Sequence, residues 1–456
     1  GTRQVRIRSL LRKHRPELKR FSSAIRARTS GRQEALFAEM NLPLLLEAFP
    51  LWMSTFRDLA KLAPFEREMF DLIVVDEATQ SDMASALPAL YRARRAAITG
   101  DPQQLRHVSF LSRERRRLLG DEAGLREEEI DSLDYREKSL LDLVDDSLAS
   151  SDSAIFLDEH FRSMPAIIAF SNREFYGGRL RVMTARPSTL RLRSVALRLV
   201  EGRRDESGRN FPEAEAVVAE VVSLVERESP LPKGRCHSIG VLSPFRDQVE
   251  HLVGALTERL PLEAIEKHDL LVATPYGFQG EERDVMLLSL AVDEGSHPQA
   301  FRHLSQPDVF NVAVTRARSR QVVFASLHPS KLPEGSLAFR YLSEIDKPFD
   351  AAPQEGPTDE LLEQVAIRLE AAGIRAHRAF LVAGTTVDLV VEREGAALGI
   401  DLIGQPGSLG APLDLERYRM LRRAGLSVFP LPLASWLSDE SSCLAAIERG
   451  LSSSLR

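Results

Sequence analysis

The stretch FDLIVVDEATQ, residues 70–80, constrains what this chain can fold into more than any other. Leu72, Ile73, Val74 and Val75 form an apolar run without polar alternation, the pattern of a central strand in a parallel sheet covered on both faces. Asp76 and Glu77 follow at once, so the strand is expected to deliver two carboxylates to the C-terminal edge of its sheet, where open α/β folds bind ligands. Asp76 in that place suits Mg²⁺, held mostly through water, and Glu77 suits polarising a water that attacks a γ-phosphate. Adjacent acids at strand ends are common on protein surfaces, so the pair needs a companion. The next apolar segment, AAITG, reads as a second strand and runs into GDPQQL, a polar turn that would bring the Gln104 amide to the same phosphate.

With 456 residues the chain exceeds one ordinary core and calls for two or three domains. Residues 1–69 read as helices with a basic N-terminus, and 70–153 as α/β structure followed by a charged helical insert. Residues 154–348 repeat the alternation, with strands expected in AIFLDEH, HSIGVLSPF, LLVATPYGFQG, DVMLLSLAV and QVVFASL, which predicts a second doubly wound domain. A Pro-rich acidic linker is expected at 349–358, and 359–456 reads helix, strand, strand, helix, strand. No apolar run approaches the roughly 20 residues that span a bilayer, so no membrane partner is expected and the cytoplasm is the default location. Cys236 and Cys443 lack CxxC spacing and suggest neither a disulfide framework nor a zinc site. The net charge of −6 decides nothing about nucleic acid, because residues 3–32 are strongly basic and Arg outnumbers Lys throughout.

VVDEATQ and GDPQQL, separated by a short helix and strand, resemble motifs II and III of superfamily 1 helicases. The resemblance continues in order down the chain. LDEHFRSMPAIIAFSNREFYGGRL is similar to motif IV of the branch related to the nonsense-mediated-decay helicase, VLSPFRDQV to motif IVa, VATPYGFQGEERDVMLLSL to motif V and FNVAVTRARSRQVVF to motif VI. The resemblance implies an α/β fold of two RecA-like domains, the first incomplete, clamping ATP and Mg²⁺ between them. It implies that Arg162 and Arg316 meet the γ-phosphate together with Asp76, Glu77 and Gln104. It also implies that Gly100, Asp101, Gln279, Gly280 and Glu282 help bind ATP, with Glu282 at the ribose. Single-stranded DNA, or less favourably RNA, would cross both domains on backbone contacts from Ser54, Thr55, Ser243, Arg246, Thr274, Pro275 and Tyr276. Trp52 and Phe56 would stack on bases or, as aromatics beside Leu51 more often do, pack in the core.

No GxxxxGK(S/T) occurs in the chain, although a P-loop is what cradles the β- and γ-phosphates. In this family the P-loop lies upstream of motif II. The expectation is therefore the C-terminal part of a longer polypeptide, or a separate chain that supplies the P-loop, and poor ATP binding by this chain alone. Residues 359–456 resemble, more weakly, a very-short-patch-repair type endonuclease domain of the PD-(D/E)xK class. On that resemblance Glu363, Asp388 and Asp401 take the places of its acids, with Asp388 and Asp401 as metal ligands. The Lys expected near the second of these strands is missing from DLIG, residues 401–404, which favours a degenerate, DNA-binding or structural domain over an active nuclease. The reading is an ATP-dependent helicase or translocase in bacterial DNA repair or antiphage defence. An ATPase-inactive nucleic-acid clamp and a metal-dependent endonuclease loaded by the motor are the alternatives.

Overall fold

The computed structural model describes residues 12–27, 29–109, 111–132, 134, 138–148, 153–345, 360–393, 395–404 and 413–453. The chain divides into two compact units, Gly1–Ile155 and Phe156–Arg456. The expected linker at 349–358 lies outside the described residues.

In the first unit, helices Arg15–Ile25, Ser30–Ala38, Leu42–Ala48 and Phe56–Leu62 precede strand β1, Ile73–Val75. Helix Met83–Tyr91 then leads to β2, Ala96–Ile98, which pairs parallel to β1 with Val75 opposite Ile98. The helix starts are set locally: Asn41, Thr55, Asp82, Ser112 and Ser139 each accept a hydrogen bond from a first-turn backbone N–H. Ile73 and Val75 pack with Phe56, Ala86 and Leu140, as alternate residues of a strand must if one face is covered. The other face is not covered. Leu72 is 54% and Val74 61% exposed, so the strand is not buried on both sides as its apolar run predicts. The physical reason is that this sheet has only two strands among the described residues, with helices packed on one side of it.

The second unit is built on five parallel strands in the order β5-β9-β8-β6-β7: Val195–Leu199 (β5), Ile239–Leu242 (β6), Leu271–Ala273 (β7), Arg283–Ser289 (β8) and Ala317–Ala325 (β9). Helices Phe211–Glu228 and Arg246–Arg259 bury one face through Val217, Val221, Leu252 and Leu256. Helices Pro165–Tyr176, Pro307–Val314 and Leu337–Ile345 bury the other through Ile167, Phe310 and Tyr341. Both faces being covered explains the near-continuous apolar character of β6, β8 and the second half of β9. The strand expected in AIFLDEH shrinks to β3, Glu159–His160, paired parallel with β4, Arg181–Val182. Ile155 and Leu157, more than four-fifths exposed, have no sheet to enter.

The C-terminal part of this unit opens with helix Glu360–Ala371, followed by β10 (Arg375–Val382), β11 (Thr385–Arg393), β12 (Ala396–Ile403), helix Leu415–Arg423 and β13 (Ser427–Pro432). The sheet runs in sequence order, antiparallel from β10 to β12 and parallel from β12 to β13. Helix Glu360–Ala371 and helix Glu440–Ser453 cover one face through Leu362, Val365 and Ile447. The other face, with Val382, Val387 and Leu421, closes on Met183, which is 1% exposed and belongs to the segment after β4.

Candidate functional site

In the first unit the two loops after β1 and β2 are tied together. Thr99 N–H donates to Val75 O at 2.8 Å and Ala78 N–H donates to Thr99 O at 2.8 Å, so one loop fixes the other. The Thr99 hydroxyl donates to Asp76 Oδ1 at 2.7 Å, and the same oxygen accepts from Glu77 N–H at 3.0 Å. Asp76 is otherwise exposed, leaving a hard carboxylate oxygen of the kind Mg²⁺ takes. Glu77 adopts φ +53°, a left-handed conformation that costs a non-glycine residue on the order of 1–3 kcal/mol and is concentrated at functional turns. Gly100 makes the close approach: a Cβ there would lie 3.2 Å from Ala78 N and 3.3 Å from Thr79 N. Asp101 accepts from Gln103 N–H and from Gln104 Nε2, both at 2.9 Å, which holds the Gln104 amide in the turn. Asp76, Glu77, Gly100, Asp101 and Gln104 therefore share one sheet edge, at the C-terminal ends of neighbouring parallel strands.

In the second unit, Glu282 and Arg316 stand immediately before β8 and β9. Glu282 lies between two guanidinium groups: it pairs with Arg162, and Oε1 accepts from Arg318 Nε at 2.8 Å. Burial pushes its carboxyl up, but Arg318 and Arg162 outweigh that and hold it below the usual range. His160, two residues before Arg162, accepts from Ser163 N–H through Nε2 at 3.0 Å. Burial, then the neighbouring Arg162, lowers its pKa to about 4, so the imidazole is neutral at pH 7. Arg316 is 1% exposed; its Nε donates to Val312 O at 3.1 Å, at the end of helix Pro307–Val314. Gln279 is half-buried and Gly280 takes φ +78° in the turn leading to Glu282.

A family model described as an AAA domain matches residues 5–110, and a second AAA-domain model matches residues 136–328. The first match contains the two loops after β1 and β2, and the second contains Arg162, Glu282 and Arg316. An uncharacterised ATP-dependent helicase of Mycoplasma pneumoniae, an MG140 homologue, is 27% identical over 323 residues, covering 67% of this chain and 28% of its own length. The Saccharomyces cerevisiae helicase SEN1 is 25% identical over 290 residues, covering 58% of this chain and 12% of its own. Both relatives are named helicases, and the two AAA-domain matches between them lie within residues 5–328 of this chain. The chain spans little more than a quarter of the length of the Mycoplasma relative and less of SEN1.

The residues expected at nucleic acid fall at strand and helix ends, with unequal exposure. Ser243 and Thr274 directly follow the adjacent strands β6 and β7. Ser243 is fully buried, however, and its Oγ accepts from Phe245 N–H at 3.4 Å, so its hydroxyl is not on the surface as expected. The reason is local: the residue closes a strand whose every side chain is buried. Pro275 is also buried, whereas Tyr276 is 47% exposed and Arg246, at the start of its helix, reaches Glu250 at 3.0 Å. Ser54 is exposed, and Thr55 is taken up in capping, giving its hydroxyl to Asp58 at 2.8 Å and accepting Asp58 N–H at 3.1 Å. Phe56 packs in the core, and Trp52 stacks edge-on against Phe70 with its indole donating to Phe49 O.

Of the three C-terminal acids, Asp388 and Asp401 come together across neighbouring antiparallel strands and both act on Tyr418, while the three do not form a group of ligand atoms within 4.8 Å. Glu363 is gripped by Arg378 Nε at 3.0 Å from both its oxygens. Asp388 accepts from Leu402 N–H at 2.7 Å, and Asp401, 3% exposed, accepts from the Tyr418 hydroxyl at 2.7 Å. Among the described residues the one group of three whose ligand atoms lie within 4.8 Å is Glu228, Cys236 and His268, and there both Glu228 oxygens already bond His237. Sequence reasoning missed Thr99, which orients Asp76, and Arg318, which shares Glu282 with Arg162. Each carried a signal: a hydroxyl at the end of the neighbouring strand, and the second arginine of TRAR.

Proposed function

We propose that this chain supplies most of an ATP-driven motor that moves on single-stranded nucleic acid, DNA in preference to RNA. The observation that carries the reading is the pair of laced loops, in which Thr99 orients Asp76 while Asp101 presents Gln104 beside it. Asp76 would hold Mg²⁺, whose chemistry there is to neutralise phosphate charge. Glu77 orients the attacking water and accepts its proton, Gln104 senses the phosphate, and Arg162 and Arg316 bring positive charge from the second unit. Arg162 would have to exchange its Glu282 partner for phosphate, and Arg316 its carbonyl contact. Gln279, Gly280 and Glu282 are proposed to meet the nucleotide, and Arg246, Thr274 and Tyr276 the strand, with Ser54 as their counterpart in the first unit.

The P-loop belongs to a further segment, upstream in the same protein or on another chain. The uncovered face at Leu72 and Val74 supports this, because parallel strands are stable when both faces are covered. The C-terminal domain is proposed to be a degenerate nuclease-like module. Its acids are engaged by Arg378, Leu402 and Tyr418, and a motor joined to such a module suits DNA repair or antiphage defence. Metal-dependent cleavage of DNA that disappears in Asp388→Ala would overturn the degenerate assignment.

The test of the motor is ATP hydrolysis, with and without single-stranded DNA, by this chain and by the protein extended to include a P-loop. We expect turnover in the extended protein alone, stimulated by DNA and reduced at least about 100-fold by Glu77→Gln with ATP binding retained. No turnover in either protein would leave the ATPase-inactive clamp as the better reading.

A further inference from the structure

The C-terminal domain is fastened to the segment that carries Arg162. The first tie is β4. Its Arg181 N–H donates to Asp158 O at 2.7 Å and Met183 N–H donates to His160 O at 2.9 Å, so β4 brackets the strand two residues before Arg162. The Met183 side chain, 1% exposed, lies in the C-terminal domain's own core with Phe380, Val387 and Leu421. The second tie is electrostatic. Arg423, at the end of helix Leu415–Arg423, grips both oxygens of Glu159, with Nε at 3.2 Å. Arg181 bonds Asp158 at 2.6 and 2.9 Å and touches Met420 Sδ at 3.1 Å, so one side chain spans strand and domain. Further along, Arg186 donates to Ala424 O, and the Ser188 hydroxyl donates to Glu392 at 2.8 Å.

We propose that the C-terminal domain positions Arg162, acting through the Arg423–Glu159 pair and Met183, so that occupancy or displacement of that domain sets how fast the motor turns over. The inference rests on the motor reading above. Arg423 and Glu159 are positioning residues: neither is placed at phosphate, and both act on the backbone of the strand that ends in Arg162. A bidentate arginine–carboxylate pair fixes direction as well as distance, which is what aiming a guanidinium requires. The route is short: Met183 N–H to His160 O, His160 Nε2 to Ser163 N–H, with Arg162 between them.

The test is a charge swap read in two ways. In Arg423→Glu and in Glu159→Arg, hydrogen exchange in residues 158–164 of this chain should accelerate roughly fivefold while the 375–403 strands stay protected. The double variant should return it towards the original rate. In the P-loop-completed protein the single variants should lower kcat severalfold with KM for ATP little changed, and the double variant should recover it. Unchanged exchange in 158–164 would overturn the proposal, as would loosened exchange with unaltered kcat in an active motor. A completed protein that hydrolyses no ATP would instead sink the motor reading, while the exchange result would still report on the coupling.

Discussion

Glu213 is fully buried at the start of helix Phe211–Glu228, where it accepts from the Ser289 hydroxyl at 2.7 Å, Ala291 N–H at 2.8 Å and the Ser326 hydroxyl at 2.9 Å. Burial, partly offset by those donors, raises its pKa from 4.5 to about 7. A carboxyl raised on folding binds more protons in the native state, so stability is lost as pH rises from about 4.5 to 7 and stays lost above it, by on the order of 3 kcal/mol. His160 acts in the opposite sense. Its pKa falls on folding from 6.5 to about 4, so the unfolded chain binds more protons and stability drains as pH falls through that window. Thermal unfolding of the second unit between pH 4 and 7.5 separates the two. The two windows overlap and oppose, so Glu213→Gln should leave stability rising with pH across them and His160→Gln should leave it falling; identical profiles for variant and parent would contradict the assignment.

Arg92 joins two helices of the first unit. From 2% exposure it donates to Ala63 O and Pro64 O at 2.9 Å, after helix Phe56–Leu62, and to Pro88 O at 2.6 Å within helix Met83–Tyr91, with its guanidinium 5.0 Å from the Phe65 ring. Arg92→Ala would leave three carbonyls without that donor and should cost the first unit about 2–4 kcal/mol in urea unfolding. Arg92→Lys should recover less than half, because one ammonium cannot reach all three. The same scale shows what the sequence made legible. β6, β8 and most of β9 are apolar runs because helices cover both faces, and those strands are readable. β5 and β10 were not expected. Each is an edge strand interrupted by charge, Arg198 in one and Arg375, His377 and Arg378 in the other, so neither periodicity is clean. AIFLD misled for the converse reason: residues 154–157 enter no strand, and the pairing with β4 begins only at Asp158, whose carbonyl accepts from Arg181 N–H. The acids after β1 were legible from two adjacent letters. The burial of Arg316 and Ser243 was not, since it depends on what packs over a chain end and no local pattern records that.

At the scale of the whole chain, the C-terminal domain reads from sequence as a third, tethered body, yet its core is completed by Met183 from the segment after β4. A domain whose hydrophobic surface is closed by another segment does not need the peptide connection to stay in place. A protease site introduced at 349–358 and cut should therefore leave the two pieces co-eluting as one species. Met183→Ala removes a buried side chain and should weaken that association by about 2–4 kcal/mol. Combined with Arg423→Glu, which removes the grip on Glu159, it should let the pieces separate on gel filtration at micromolar concentration. Separation of the unmutated pieces would mean that the contacts of Met183, Arg181 and Arg423 do not hold without the linker, and control of Arg162 by this domain would then require an intact chain.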